Sequence, residues 1–312
     1  MRRLSLHLRA IPSAAALLSL ASVLPASAQT SARAASPVPP PTNASADVKP
    51  FVVQRVGHGR PMILIPGLIS SGEVWKGAVE HYRGRYDMHV LTLAGFAGVP
   101  PMGGDRFLET ERDAIIRYIR EQRLDHPVLV GHSLGAFLAF SVASAAPDLV
   151  GPVVAVDGVP YLAALGDSTM TPEKMRAQAE MMRAGFAALG PDAMEQQTRM
   201  SMSGLAKDSA SREMGVRWGR ASDAATAGRA MAEMLTTDLR PAVAAIRTPV
   251  LLIASGDGIT EAQRASVLAS YAAQVARIPR HTVVQAVNAR HFVMLDDPAF
   301  LFAAMDRFLE GR

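Results

Sequence analysis

Seven short apolar runs, set between turn residues and helical patterns, constrain this chain more than any other feature. They are FVVQRV at 51–56, PMILIP at 61–66, MHVLTL at 88–93, PVLVG at 127–131, VVAVD at 153–157, PVLLIA at 249–254 and HTVVQAV at 281–287. Most are apolar at consecutive rather than alternate positions, as strands buried on both faces must be. Between them, residues 107–122 are amphipathic with Ile115, Ile116 and Ile119 on one side, and residues 134–145 follow a strand directly. Residues 261–275 and 298–310 carry further helical patterns. The fold class expected is α/β, with βα units wound around a mainly parallel sheet. One interval breaks the alternation. Between Val159 and Asp238 no strand pattern occurs, helical patterns such as PEKMRAQAEMMRAGFAALG dominate, and 10 of the 16 methionines fall there. This reads as an inserted helical lid. Its methionines suit either an adaptable wall over an apolar pocket or plain helix-on-helix packing.

The first residues carry a different signal. A short basic segment, MRRLSLHLR, leads into the apolar stretch AIPSAAALLSLASVLP, which closes on Ala26, Ser27 and Ala28. This predicts a signal peptide over residues 1–28, cleaved after Ala28, and a product exported to the periplasm or the medium. The stretch is short and contains Pro12, which disfavours a stable membrane span. Residues 29–49, rich in Ala, Ser and Pro, read as a flexible leader. The remaining chain divides into a first core part at 50–158, the lid at 159–238 and a second core part at 239–312. Charge bears on partners here. The 312-residue chain carries a formal +4, but cleavage removes Arg2, Arg3 and Arg9 and no acid, leaving +1. The electrostatic case for nucleic acid then disappears, and no basic run interleaved with aromatics replaces it. The absence of cysteine excludes disulfides, thiolate metal sites and a thiol nucleophile. A zinc-binding H-E-x-x-H pattern is also missing.

The chemistry concentrates at VLVGHSLGAFLAF, residues 128–140. An apolar strand runs into Gly131, His132, Ser133, Leu134 and Gly135, and a helix begins at once. In this G-x-S-x-G setting the turn exposes the Ser133 hydroxyl at the sheet edge and a helix N-terminus. A hydroxyl is a poor nucleophile until a base takes its proton. His291, in a loop beyond the last strand pattern, is the candidate base, whereas His132 is held in the turn and shapes the elbow. An acid must then fix the imidazole tautomer. Asp257, just past PVLLIA, is preferred because Ser133, Asp257, His291 is the chain order expected of such a triad. Asp157, at the end of VVAVD, reaches the same edge of the sheet and is its rival. Asp296 and Asp297 read as helix caps. Backbone donors for a developing oxyanion should come from the N–H of Leu134 and, from the loop after PMILIP, of Leu68, with Ile69 as the near alternative.

These segments, together with ILIPGLISSGEVW, LTLAGFAG and ARHFVMLDDP, resemble the α/β-hydrolase superfamily over roughly residues 50–312, specifically its lid-bearing serine hydrolases. The resemblance implies an eight-stranded, mostly parallel sheet flanked by helices, with a helical cap inserted between the sixth and seventh sheet positions. It also implies Ser133 as nucleophile, Asp257 as acid, His291 as base and Leu68 with Leu134 as oxyanion-hole residues. Two departures stand out: Pro66-Gly67 where the family often has His-Gly, and Arg290 where it often has Gly. The activity implied is hydrolysis, through an acyl-enzyme, of carboxylic esters or lactones of small to medium, mainly apolar molecules. No metal or organic cofactor is implied. An amidase or aminopeptidase using the same triad is the enzymatic alternative, with Glu173, Glu180 and Glu195 available in the lid for an amine. A noncatalytic ligand-binding homologue is the alternative of another class.

Overall fold

A computed structural model describes residues 49–310. The signal-peptide assignment, and all of the leader but its last residue, lie outside the described residues. The seven apolar runs become seven strands: β1 (Phe51–Gly57), β2 (Arg60–Ile65), β3 (Tyr86–Leu93), β4 (Val128–His132), β5 (Val153–Val156), β6 (Val250–Ser255) and β7 (His281–Ala286). Their order across the sheet is β1-β3-β2-β4-β5-β6-β7. Only β1 runs antiparallel to its neighbour. The eighth strand implied by the family resemblance is not among the described residues. There the sheet ends at β1, which pairs with β3 alone and turns Val52, Gln54 and Arg55 to water. Polar, half-exposed edges discourage further pairing. By contrast β4, β5 and β6 are buried along their whole length, which is why their sequences do not alternate.

Helices α1 (Lys76–Tyr82), α2 (Phe107–Glu121), α3 (Leu134–Ala145), α8 (Glu261–Val275), α9 (Val293–Asp296) and α10 (Pro298–Glu310) flank the sheet. Helix α3 is buried from Leu134 through Ala143, against β4, β5 and α2, so it is apolar all round. Ile115, Ile116 and Ile119 face the core from α2 as the pattern predicts, and the same helix buries Glu111. Neither Glu111 oxygen makes a well-formed hydrogen bond. The nearby Ala94 N–H is committed to the Pro50 carbonyl at 2.7 Å. Burial therefore pushes the Glu111 carboxyl well above the usual range, outweighing an opposing pull from the Ala94 N–H. A folded-state pKa raised above its unfolded value stabilises fully below the ordinary carboxylate range, and that contribution is lost as pH rises through the folded value. Glu111→Gln should therefore raise Tm, and its advantage over the parent should widen as thermal melts are taken from pH 5 to pH 8.

The lid is present as the cap helices α4 (Pro172–Ala187), α5 (Pro191–Leu205), α6 (Ser209–Arg220) and α7 (Ala224–Thr236). Their starts are local chemistry. Thr171, Asp208 and Asp223 accept hydrogen bonds from first-turn N–H groups, and prolines open α4 and α5. The helices pack as two pairs, α4 with α7 and α5 with α6. Gly219 lets the second pair close, since a Cβ there would lie 2.2 Å from Thr198 Oγ1. The cap is fastened to the core at Glu233, whose carboxylate accepts the Phe107 and Leu108 N–H groups at 2.8 Å and so serves the otherwise open start of α2. Most cap methionines, such as Met175, Met182, Met194 and Met231, are buried in packing, while Met181 and Met200 are exposed. Among the described residues no helix is long and apolar enough to cross a membrane.

Candidate active site

Ser133 follows directly on β4 with φ 54° and ψ −115°, a conformation that side-chain-bearing residues rarely adopt. Its N–H donates to the Val156 carbonyl at 2.9 Å, while its own carbonyl accepts the Ala136 and Phe137 N–H groups and starts α3. The flanking glycines are steric necessities. A Cβ on Gly131 would sit 2.2 Å from the Gly135 carbonyl oxygen, and one on Gly135 2.2 Å from that of Ile65. Leu134, the first residue of α3, carries an N–H that the helix itself cannot satisfy. On the facing side, a turn closed by Ser70 N–H to the Gly67 carbonyl at 3.2 Å brings Leu68 and Ile69 to the same cavity as Ser133, with Ile69 at φ 54°.

His291 lines that cavity too and is only 3% exposed. Its Nδ1 meets Asp157 Oδ2 at 2.7 Å. The other oxygen of Asp157 accepts the Tyr271 hydroxyl at 2.7 Å and the Ser255 N–H at 2.8 Å, so the carboxylate is buried with three partners. Burial, with the Asp157 charge next in importance, pushes the Tyr271 hydroxyl well above its ordinary value, which keeps it a donor. β4 and β5 are parallel neighbours with His132 opposite Val156, so Ser133 and Asp157 leave the sheet side by side.

Asp257, the preferred acid in the sequence, is not the partner of the imidazole. It lies two residues beyond the end of β6, where its carboxylate accepts Arg290 Nε at 3.1 Å and stands 3.6 Å from Lys207 Nζ. Two cations at the rim draw it away, whereas Asp157 turns at φ 45° immediately after its strand. The rival reading is the one the geometry supports. Nothing in the sequence marks Tyr271, which sits within α8 among residues that carry no such signal.

His132 is fully enclosed. Its Nε2–H donates to the His291 carbonyl at 3.0 Å, and its ring lies 4.5 Å from that of His291 and 4.8 Å from that of Phe292. Burial, then the neighbouring His291, holds its pKa well below the ordinary value, so the ring is neutral and Nδ1 remains a buried acceptor without a partner. It therefore shapes the elbow, as expected, and also braces the loop of His291.

Two cavities meet at Ser133. The first runs from Leu68 and Ile69 to Thr198, Ser201, Met202 and Leu205 of α5, Gly215 and Trp218 of α6, and Phe292. The second is walled by Phe137, Val159, Leu162, Leu165, Met234, Tyr271 and Asp157. Neither wall carries a lysine or arginine, and the only acid, Asp157, is already saturated. Glu180 and Glu195 form ion pairs with Arg183, Arg199 and Arg220 and line neither cavity, nor does Glu173. Among the described residues no group of three His, Cys, Asp or Glu side chains is placed to hold a metal ion.

Comparisons with known proteins show what the chain is similar to. A pimeloyl-(acyl-carrier protein) methyl ester esterase of Aliivibrio salmonicida is 30% identical over 111 residues, 36% of this chain and 41% of that protein. An (E)-2-((N-methylformamido)methylene)succinate hydrolase of Acinetobacter baylyi is 29% identical over 33% of this chain and 39% of its own length. The chain thus spans about two-fifths of the length of these curated relatives. Among solved structures, a thermophilic esterase from Thermogutta terrifontis superposes with a TM-score of 0.68 at 20% identity, covering 84% of this chain and 93% of that one. An enol-lactonase from Burkholderia xenovorans LB400 gives 0.66 at 14% identity over 83% and 96%. At such identities the likeness is one of fold. The alpha/beta hydrolase family profile matches residues 62–304, from β2 into α10, and the chain belongs to that family.

Proposed function

We propose that this chain is a serine hydrolase that cleaves carboxylic esters or lactones of small to medium, mainly apolar and uncharged molecules. The observation that carries the proposal is the buried 2.7 Å contact of His291 Nδ1 with Asp157, in the cavity that also holds the Ser133 elbow. Ser133 Oγ attacks the carbonyl carbon as His291 Nε2 takes its proton, with Asp157 holding Nδ1–H and stabilising the imidazolium. The Leu68 and Leu134 N–H groups receive the oxyanion. His291 then protonates the leaving alkoxide, and water attacking the acyl-enzyme repeats the sequence with His291 as base. The curated relatives whose names specify a methyl ester esterase and an amide-bearing succinate hydrolase set the range of chemistry; the apolar walls and the absence of a free acid to anchor an amine support the ester end of it. The basic and apolar residues 1–28 support export with cleavage after Ala28, which N-terminal sequencing of the mature protein tests.

The purified chain should be assayed against p-nitrophenyl esters of increasing acyl length, lactones, thioesters and aminoacyl p-nitroanilides, with Ser133→Ala as control. Short and medium esters should turn over at least about 100-fold faster than the anilides, because the site offers an amine substrate no ionic anchor. Comparable rates on both would overturn the ester preference.

A further inference from the structure

Asp257 and Arg290, both conspicuous in the sequence, take no part in the proton relay, yet they meet beside it. Arg290 immediately precedes His291, and its guanidinium reaches in two directions. Nε donates to Asp257 Oδ2 at 3.1 Å, and Nη1 donates to the carbonyls of Ser203 at 2.7 Å and Ala206 at 3.5 Å. The Ser203 carbonyl lies in the last turn of α5, where a helix leaves acceptors open and a cation is favoured, and that of Ala206, just past the helix, also accepts Arg212 Nε at 2.9 Å. The same short segment is joined to both flanks of His291. Phe292 N–H donates to the Leu205 carbonyl at 3.2 Å, and Lys207 Nζ to the Asn288 carbonyl at 2.8 Å. The carboxylate of Asp296 accepts the Lys207 and Arg290 N–H groups, both at 2.9 Å. Helix α5 meanwhile supplies Thr198, Ser201, Met202 and Leu205 to the substrate cavity.

We propose that Arg290 is a positioning residue: by capping α5 and anchoring on Asp257, it ties the cap wall of the substrate cavity to the loop that carries His291 and holds the imidazole in register with Asp157. The inference rests on the reading of His291 as the base. Removing the guanidinium deletes no reacting group and no side chain that lines either cavity. A partly exposed ion pair contributes little to global stability, so the fold should survive. A small displacement of a catalytic group, in contrast, costs about 100-fold in rate.

The test compares the parent protein with Arg290→Ala, Arg290→Lys, Asp257→Asn and the double variant Arg290→Ala/Asp257→Asn. The readouts are turnover of the best p-nitrophenyl ester, the rate of labelling by a fluorophosphonate, Tm, and amide hydrogen exchange over residues 286–296. Arg290→Ala should lower kcat and the labelling rate about 10- to 100-fold with KM within about 3-fold. Exchange of the loop should quicken, and Tm should stay within a few degrees. Lysine should restore only part, since an ammonium cannot serve Asp257 and the Ser203 carbonyl together as the planar fork does. The double variant should be no worse than Arg290→Ala alone, because the two groups act as a unit. Parent-like kcat, labelling and exchange in Arg290→Ala would overturn the proposal, as would a change confined to KM. If the parent protein neither turns over esters nor labels, the hydrolase reading fails, and loop exchange still decides whether Arg290 holds the loop.

Discussion

Replacing Asp157 by asparagine is expected to lower kcat on a neutral ester about 1,000- to 10,000-fold with little change in KM, whereas Asp257→Asn should cost less than about 10-fold. The difference follows from the donors around each group. Oδ1 of Asp157 receives both the Tyr271 hydroxyl and the Ser255 N–H, so an asparagine there must place its carbonyl oxygen at that position. Its NH2 group then faces His291 Nδ1, which becomes an acceptor, and the ring proton moves to Nε2. An imidazole in that tautomer cannot take the proton of Ser133. Asp257 faces only Arg290 and Lys207, at the rim, so its neutralisation disturbs a neighbour of the base rather than the base. Steady-state kinetics of the two variants, with Tm as a check on folding, measure the contrast. Equal losses would show that the acid has been misassigned.

Substituting Ser133 separates activity from strain. Ser133→Gly should abolish turnover, by at least about 10,000-fold, and at the same time raise Tm by about 2–5 °C. The backbone there sits at φ 54° and ψ −115°, which costs a side-chain-bearing residue on the order of 1–3 kcal/mol and glycine almost nothing. Part of the gain is offset by the larger conformational entropy of glycine in the unfolded chain. Ser133→Ala loses the hydroxyl but keeps the Cβ, so it should lose the activity without the gain in Tm. Thermal melts of the three proteins check this directly. An alanine variant as stable as the glycine one would mean that the elbow stores no strain at residue 133.

The parts of the structure that follow from local pattern are legible in the sequence. Each of the seven apolar runs is a strand, because a strand covered on both faces has little choice but to be apolar throughout. The elbow is legible for a related reason, since Gly131 and Gly135 stand where a Cβ would collide with backbone. The apolar runs number seven, as the described strands do, and only the family resemblance implies an eighth. The identity of the acid was not legible. Asp157 and Asp257 end adjacent strands at the same edge of the sheet, and nothing within a few residues of either distinguishes them. What decides is the surroundings: a tyrosine on α8 and a backbone N–H at the end of β6 for one, cations from the cap junction and the base loop for the other. The same limit applies to Asp296 and Asp297. Asp297 caps α10 through the Phe300 N–H at 3.1 Å as expected, while Asp296 reaches across to the cap. The lid was visible as a helical, methionine-rich interval, but which methionines pack and which line a cavity depends on helix pairing. Only Met202 and Met234 line either of the two cavities at Ser133.

The proposed mechanism requires a Ser133 hydroxyl activated by His291 and Asp157. Treating the protein with a fluorophosphonate and locating the adduct by peptide mass spectrometry tests it most directly. A single rapid adduct should form on Ser133, absent in Ser133→Ala and slowed about 100-fold or more in His291→Ala and Asp157→Asn. An enzyme that hydrolyses esters while Ser133 stays unlabelled, or labelling that persists at the parent rate in Ser133→Ala, would contradict it.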